Sequence, residues 1–529
     1  MRKINVDFKT ISNQFFEGET KQEIVKIYGY ITNFHDVFPT MSSSEIVGGI
    51  SKLVSEGKCL FEIFDGEFVI LVKSKINGRY YICPNYYSSY PIYYYDGGTQ
   101  VCISSSIKYI YDLVKNEETI DIKALKMLMS YGFLLGDTTP ITGIKKLIPG
   151  HDLTLDSECN LNFRKLRDFR RTEEAIGAVE VLDELDNLFD KAICKIFDFA
   201  NNYSTINYTT LSGGLDSRMT FLGSQELGFD SGTLVTFGEL DSLDVKIASQ
   251  IASDNNKTLI VNSIDGGDYL SDSEFPVKLN EGTALYSGAA HTLNTLRKLR
   301  LTDNTIVHTG QLGDAVLGSF SDTSIRPVSD ETLLLGAYNR DYIKRNLDCF
   351  RSYLEPYEIN EQFLFYNRAF NGANNGLNTI GRLCCFSSPF MDRDFFDFCL
   401  KIPSKLMHGE RIYLDWINKK RPEYTNYVWE KWRLKPRSKY FRLANSKAYK
   451  YGKYKLFEVT LKQGMNPFQK WKSNNSVLVD GMVRKILDFE DKALLEEVLS
   501  DNVNNFISRA SLINLIQAVT VVEVCNLYD

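Results

Sequence analysis

Between residues 66 and 104 short runs of strand-forming side chains alternate with turn residues. Phe68–Val72, Arg79–Cys83, Pro91–Tyr95 and Val101–Ser104 are separated by Asn-Gly, Asn-Tyr-Tyr-Ser-Ser and Gly-Gly breaks. Runs this short, rich in β-branched and aromatic residues, predict antiparallel strands. Apolar positions Ile122, Leu125, Leu128 and Met129 predict a helix over 120–132 that ends at Gly132. The pattern changes over 172–200, where Val179, Leu182, Leu185, Leu188, Phe189, Ala192, Ile193, Ile196 and Phe197 share one broad face. That is a long amphipathic helix at a domain boundary. Beyond it, strands at 206–211, 233–237, 257–262 and 305–309 alternate with helices after 215, at 242–253 and around 284–300. This is the rhythm of a doubly wound parallel sheet. From about residue 330 helical spacing dominates, and Ser508 to Leu527 predicts a closing helix that buries Leu512, Leu515, Ile516, Val519 and Val522.

The chain has 529 residues, too many for one core, and the pattern divides it into 1–165 and 172–529. Hydrophobic content of 43% and charged content of 24% are those of a soluble globular protein. A net charge of −6 gives no electrostatic footprint for nucleic acid. No apolar stretch is long enough to span a bilayer and the first residues lack a signal-peptide core, so a cytoplasmic location is expected. Ten cysteines without a Cys-x-x-Cys spacing suggest neither zinc nor a disulfide framework.

The chemistry sits at two strand ends. Residues 206 to 218 read Ile-Asn-Tyr-Thr-Thr-Leu-Ser-Gly-Gly-Leu-Asp-Ser-Arg, an apolar strand that breaks on Gly213 and Gly214 and reopens as a helix. The glycines permit a tight turn, and the helix start offers N–H groups and a positive dipole end to phosphate oxygens. Ser212 and Ser217 add hydroxyls. Asp216 repels bare phosphates, so its presence implies a divalent cation, Mg2+, between carboxylate and pyrophosphate. No Gly-x-x-x-x-Gly-Lys-Ser/Thr segment occurs, which turns the expectation from γ-phosphate transfer to cleavage of ATP into AMP and pyrophosphate. The second string, Thr305 to Gly318, repeats the design: a buried strand, glycines at Gly310 and Gly313, and Asp314 at the sheet edge. Two carboxylates converging from different strand ends make a stronger metal site than either alone.

The hexapeptide Ser212-Gly-Gly-Leu-Asp-Ser217 resembles the pyrophosphate loop of the asparagine synthetase family, and the likeness extends over most of the chain. Gly66-Glu-Phe-Val-Ile, Pro91-Ile-Tyr-Tyr-Tyr, Ile103-Ser-Ser-Ser-Ile-Lys-Tyr-Ile and Ile144-Lys-Lys-Leu-Ile-Pro-Gly-His151 resemble strings of its amidotransferase domain. Ser388-Pro-Phe-Met-Asp392 resembles its Pro-Phe-Leu-Asp segment. The resemblance implies an N-terminal Ntn-hydrolase-like antiparallel sandwich. It also implies an α/β doubly wound synthetase domain of the adenine nucleotide α-hydrolase-like, PP-loop type, with C-terminal helices. Asp314 matches the aspartate that, with Asp216, holds Mg2+. The backbone at Leu211 and at Thr236 or Phe237 is implied to receive adenine, and Gly310 to line the same site. A lysine in an Arg-x-Lys context stabilises developing negative charge in the family; Arg433-x-Lys435 and Arg437-x-Lys439 both fit.

Three departures matter. The family's glutaminase uses an amino-terminal cysteine, whereas residue 2 is Arg and the first cysteine is Cys59, so residues 1–165 are read as a degenerate domain lacking its nucleophile. Ala315 replaces the usual glutamate. Gln311 stands where a carboxylate is usual, which leaves Glu281, Tyr286 and His291 as alternatives for acid–base work. The expected activity is an ATP-dependent amide-forming ligase that adenylates a small-molecule, sugar-acid or peptide carboxylate and passes it to ammonia or an amine. The resemblance implies a place in surface-polysaccharide or specialised peptide biosynthesis. The alternatives are a lasso-peptide-type macrocyclase and an inactive binding protein of synthetase fold.

Overall fold

A computed structural model describes residues 2–204, 206–302, 304–438 and 466–529. The first part folds into ten strands: β1 (Lys3–Asp7), β2 (Gln14–Glu19), β3 (Glu23–Ile31), β4 (Gly66–Ser74), β5 (Tyr80–Pro84), β6 (Tyr93–Asp96), β7 (Gln100–Ser104), β8 (Ile144–Lys146), β9 (His151–Leu155) and β10 (Leu161–Lys165). They make a six-stranded sheet of order β10-β9-β5-β4-β3-β2, antiparallel throughout, and a four-stranded sheet of order β1-β7-β6-β8. The antiparallel expectation fails at one pair: β1 runs parallel to β7. The chain between them crosses the six-stranded sheet before returning, a connection too long for a hairpin.

The boundary helix runs Ala178–Tyr203, six residues later than the apolar stripe alone suggests. The cause is tertiary. Thr172 and Glu174 N–H groups donate to the carbonyls of Leu400 and Lys401, Glu173 has φ 51°, and the buried Arg171 guanidinium pairs with Glu361. A backbone committed to a neighbour cannot also close helical turns.

The second part is built on a five-stranded sheet. β11 (Ile206–Thr210), β12 (Thr233–Gly238), β13 (Leu259–Ser263), β14 (Thr305–His308) and β15 (Cys385–Ser387) lie in the order β13-β12-β11-β14-β15, all parallel. The chain winds outward from β11 to β13, then returns to the other side of β11. Strand β15 escapes sequence reading because three residues cannot display a period. Short helices cover most of the rest, and the closing helix is Leu512–Tyr528, opened by Ser511, whose hydroxyl accepts from the N–H of Asn514. All five apolar residues assigned to it are buried. One continuous apolar core joins the two parts. No helix among the described residues is long and apolar enough to cross a membrane.

Candidate functional site

Because β11 and β14 are neighbours whose following chains diverge, the loops at 211–217 and 309–314 meet where the strand order reverses. Parallel sheets bind ligands in that crevice. The first loop is held by its own side chains. Ser212 N–H donates to Ser217 Oγ at 3.0 Å, and Gly214 N–H donates to Ser212 Oγ at 3.1 Å. Gly213 N–H donates to Asp244 Oδ1 at 3.1 Å. Asp244 therefore organises the loop, a role beyond the helix opening its position suggests; Ser242 is the residue that caps that helix.

The turn expected of Gly213 and Gly214 is made without positive φ at either. Gly213 is needed for close approach instead: a Cβ there would stand 2.8 Å from Glu430 Cβ, and Glu430 N–H donates to the Gly213 carbonyl at 3.1 Å. Gly310 and Gly313 act the same way. A Cβ on Gly310 would lie 2.3 Å from the Asp216 carbonyl carbon, and one on Gly313 2.5 Å from Asp216 Cγ. The two loops thus touch backbone to backbone.

That contact sets the carboxylates. Asp314 N–H donates to Asp216 Oδ2 at 3.1 Å and Tyr413 Oη donates to Oδ1 at 2.8 Å. Burial, followed by the negative charges of Asp314 and Glu410, pushes the Asp216 carboxyl well above the usual range. No cluster of three or more His, Cys, Asp or Glu side chains among the described residues could hold a metal unaided. Mg2+ bound with a nucleotide needs only one or two carboxylates, with phosphates and water completing its shell. The Asp216–Asp314 pair, crowded and ion-paired with no cation among the described residues, fits that partial set.

In front of these loops lies a cleft of about 500 Å³. Leu211, Ser212, Gly214, Asp216, Ser217, Thr236, Phe237 and Gly310 line it, whereas Gly213 and Asp314 do not. Thr236 Oγ1 is buried with no hydrogen-bond partner among the described residues, an orphan hydroxyl in the wall. His291 also lines the cleft, its ring 4.8 Å from that of Phe237, and burial lowers its pKa to about 4. It is neutral near pH 7 and keeps one donor and one acceptor nitrogen.

The other acid–base alternatives are corrected. Glu281 is buried away from the cleft: its carboxylate accepts from Ser106 Oγ at 2.5 Å and Ile107 N–H at 2.8 Å and pairs with Arg382, so it caps the helix Ile107–Val114. Tyr286 is a core residue whose hydroxyl donates to the Leu270 carbonyl. Lys435 is exposed on a turn and does not line the cleft, and Lys439 lies outside the described residues. The lysine tied to the carboxylates is Lys431, whose Nζ bonds both oxygens of buried Glu410 at 2.8 and 2.7 Å. Arg-x-Lys spacing misses it because Trp429 stands two residues before. Arg218, fully buried, donates to the carbonyls of Gly213, Tyr424, Tyr427 and Val428 and binds the segment carrying Lys431 to the first loop.

Residues 5–164 match a protein family described as a glutamine amidotransferase domain. This part of the fold is thus of amidotransferase type, a class concerned with moving amide nitrogen. No curated protein matches the chain. Two solved structures are distantly similar. One is of the allosteric regulatory enzyme of purine biosynthesis, with 10% identity over 48% of this chain and 62% of that one, TM-score 0.21. The other is glutamine phosphoribosylpyrophosphate amidotransferase from B. subtilis complexed with ADP and GMP, with 12% identity over 56% and 63%, TM-score 0.19. The chain spans less than two thirds of each, and likeness at this level carries no functional weight.

Proposed function

We propose that this protein is an asparagine synthetase-like ligase that binds ATP with Mg2+ in the cleft, adenylates a carboxylate and transfers the acyl group to ammonia or an amine. The observation that carries this reading is the meeting of loops 211–217 and 309–314, with Asp314 N–H bonded to Asp216, at the reversal point of a parallel sheet. When bound, Mg2+ supplies charge neutralisation for the pyrophosphate. Asp216 and Asp314 would hold it. Ser212, Ser217 and the helix start beside them face the phosphate oxygens, and the orphan hydroxyl of Thr236 serves the nucleoside end. A substrate carboxylate oxygen attacks the α-phosphorus, the bond to the β-phosphate bridging oxygen breaks, and pyrophosphate leaves. The amine then attacks the acyl carbon, AMP departs with the C–O electron pair, and the nitrogen loses a proton. Lys431, held by Glu410, is the lysine we propose for charge developing on the leaving groups.

The amidotransferase-type part is proposed to be degenerate and not to hydrolyse glutamine. Attack needs a thiolate. Burial pushes the Cys59 thiol up to about 11 and raises those of Cys83 and Cys102, while Cys159 is buried. Pyrophosphate–ATP exchange across a carboxylate panel tests the adenylation step. AMP and pyrophosphate are the expected products, and ADP with phosphate would overturn the mechanism.

A further inference from the structure

The outer strands of a sheet need cover, because unpaired backbone groups at an edge template pairing with another chain. Most edges of this protein are blunted. β10 presents Arg164 and Lys165, β1 carries Lys3 and Asp7, β8 and β15 are three residues long, and the helix Ser43–Ser55 packs against β2. β13, which ends the five-stranded sheet, has none of these devices among the described residues. It reads Leu-Ile-Val-Asn-Ser, and Ile260 and Val261, which point to opposite faces, are both exposed. The layers that cover the sheet therefore stop short of this edge. Leu234 N–H donates to the Thr258 carbonyl at 3.0 Å and Ile264 N–H to the Gly238 carbonyl at 3.2 Å. Alternate residues from Thr258 to Ile264 thus bond β12, and Leu259, Val261 and Ser263 turn their N–H and carbonyl groups outward. Those outward groups have no hydrogen-bond partner among the described residues.

The residues beyond the two ends of β13 say which strand fits it. Lys257 precedes it and Asp265 follows it, at equal spacing from Val261. Lys257 pairs with exposed Asp230 at 3.4 Å, and Asp265 accepts from Leu240 N–H through one oxygen. In an antiparallel pair centred on Val261, Val261 faces itself, Leu259 faces Ser263, and Lys257 of each chain meets Asp265 of the other at both ends. Outward groups then meet outward groups. Centring on Ile260 sets Lys257 against Ser263, and centring on Asn262 sets Leu259 against Asp265, so of these registers the one at Val261 alone matches charge. We infer that β13 is the interface with a second copy of this chain, joined across a two-fold axis at Val261 so that the two five-stranded sheets become one. Exposed Leu240, tied to Asp265, extends the apolar contact. Strands on the two sides of the axis run in opposite directions, so the two clefts open at opposite edges of the joined sheet.

The test is sedimentation velocity of the full chain from about 1 to 100 μM, with amide hydrogen exchange measured at both ends of that range. A species of two-chain mass is expected, and peptides spanning 257–265 should exchange more slowly as it forms. Val261→Lys sets two ammonium groups face to face on the axis and should leave one-chain mass throughout. Lys257→Asp places like charges at both ends of the pairing and should weaken association by about tenfold or more. Lys257→Asp combined with Asp265→Lys reverses both pairs and should restore association to within about threefold of wild type. Thermal midpoints show whether each variant is folded, and if Val261→Lys is not, the charge reversal decides alone. A wild type of one-chain mass at every concentration overturns the inference. So does a dimer that persists in folded Val261→Lys, or one that Lys257→Asp weakens and the folded double variant fails to restore.

Discussion

Asp216 is poorly placed to be an anion in the metal-free protein, because burial and Asp314 both favour its protonated form. Between the unfolded carboxyl's ordinary pKa and the raised folded one, the native state holds the extra proton, so stability falls as pH rises through that window. Asp216→Asn removes the ionisation. The amide can still accept from Asp314 N–H through its oxygen and donate to Tyr413 Oη. Differential scanning fluorimetry of the metal-free variant at pH 7.5 should show a midpoint higher by about 1 °C per kcal/mol recovered. Pyrophosphate exchange should nonetheless fall about 100-fold or more, since cation binding is lost. A variant that is less stable and fully active contradicts the assignment. Glu67 gives a second pH signature. Burial, only partly offset by Ser89 and Asn85, raises its carboxyl to about 8. The native state again holds the extra proton from the unfolded value near 4.5 up to 8, so this group's contribution to stability is present at pH 5 and lost as pH approaches and passes 8. The midpoint of Glu67→Gln minus that of wild type should therefore grow between pH 5 and pH 8.5. A difference that stays flat over that range shows Glu67 to be ionised throughout.

At the scale of elements, the site depends on a segment remote in sequence being held against the first loop. Arg218 does this from the helix Asp216–Glu226 by reaching four backbone carbonyls. Removing the guanidinium strands those acceptors in a dry interior. Arg218→Met is expected to cost about 3 kcal/mol in urea unfolding. Its effect on exchange should exceed its effect on melting, because Lys431 and Glu410 lose register with Asp216. The strand-to-helix alternation around this helix is plain in the sequence, since each element carries its own period. What the period could not show is the contact between Gly310, Gly313 and Asp216, which joins residues nearly a hundred positions apart.

Across the whole molecule, the two parts are bound by buried polar contacts as well as by a shared core. Glu281 caps the helix Ile107–Val114 across that boundary, and Tyr30 Oη donates to the carbonyl of Phe386 in β15. A catalytic Glu281 and a structural one predict opposite results for Glu281→Ala. The structural role predicts a loss of about 2–3 kcal/mol, because the helix N–H and Arg382 lose a buried partner. Binding of α,β-methylene-ATP by the folded variant should stay within about twofold, well below the tenfold that 1.4 kcal/mol represents. Loss of exchange with unchanged stability would restore Glu281 to the chemistry.

The features legible in the sequence are those written locally. The parallel strand rhythm, the helix 178–203 to within six residues at its start, and the two glycine-bearing strand ends all follow from neighbours within a few positions, where backbone preference and side-chain period act directly. Tertiary structure alone decided which partner each acid and each lysine meets. Lys435 carries the Arg-x-Lys signal and Lys431 does not, but a carboxylate or ammonium takes its role from the charges a few ångströms away. Lys431 meets Glu410, Glu281 meets Ser106 and Arg382, and Lys435 meets solvent. The same holds for Asp244, which resembles a helix-opening residue until the fold brings the N–H of Gly213 within 3.1 Å of its carboxylate. Electrostatic and hydrogen-bond energies depend on distance through space, and for these residues the fold alone sets that distance.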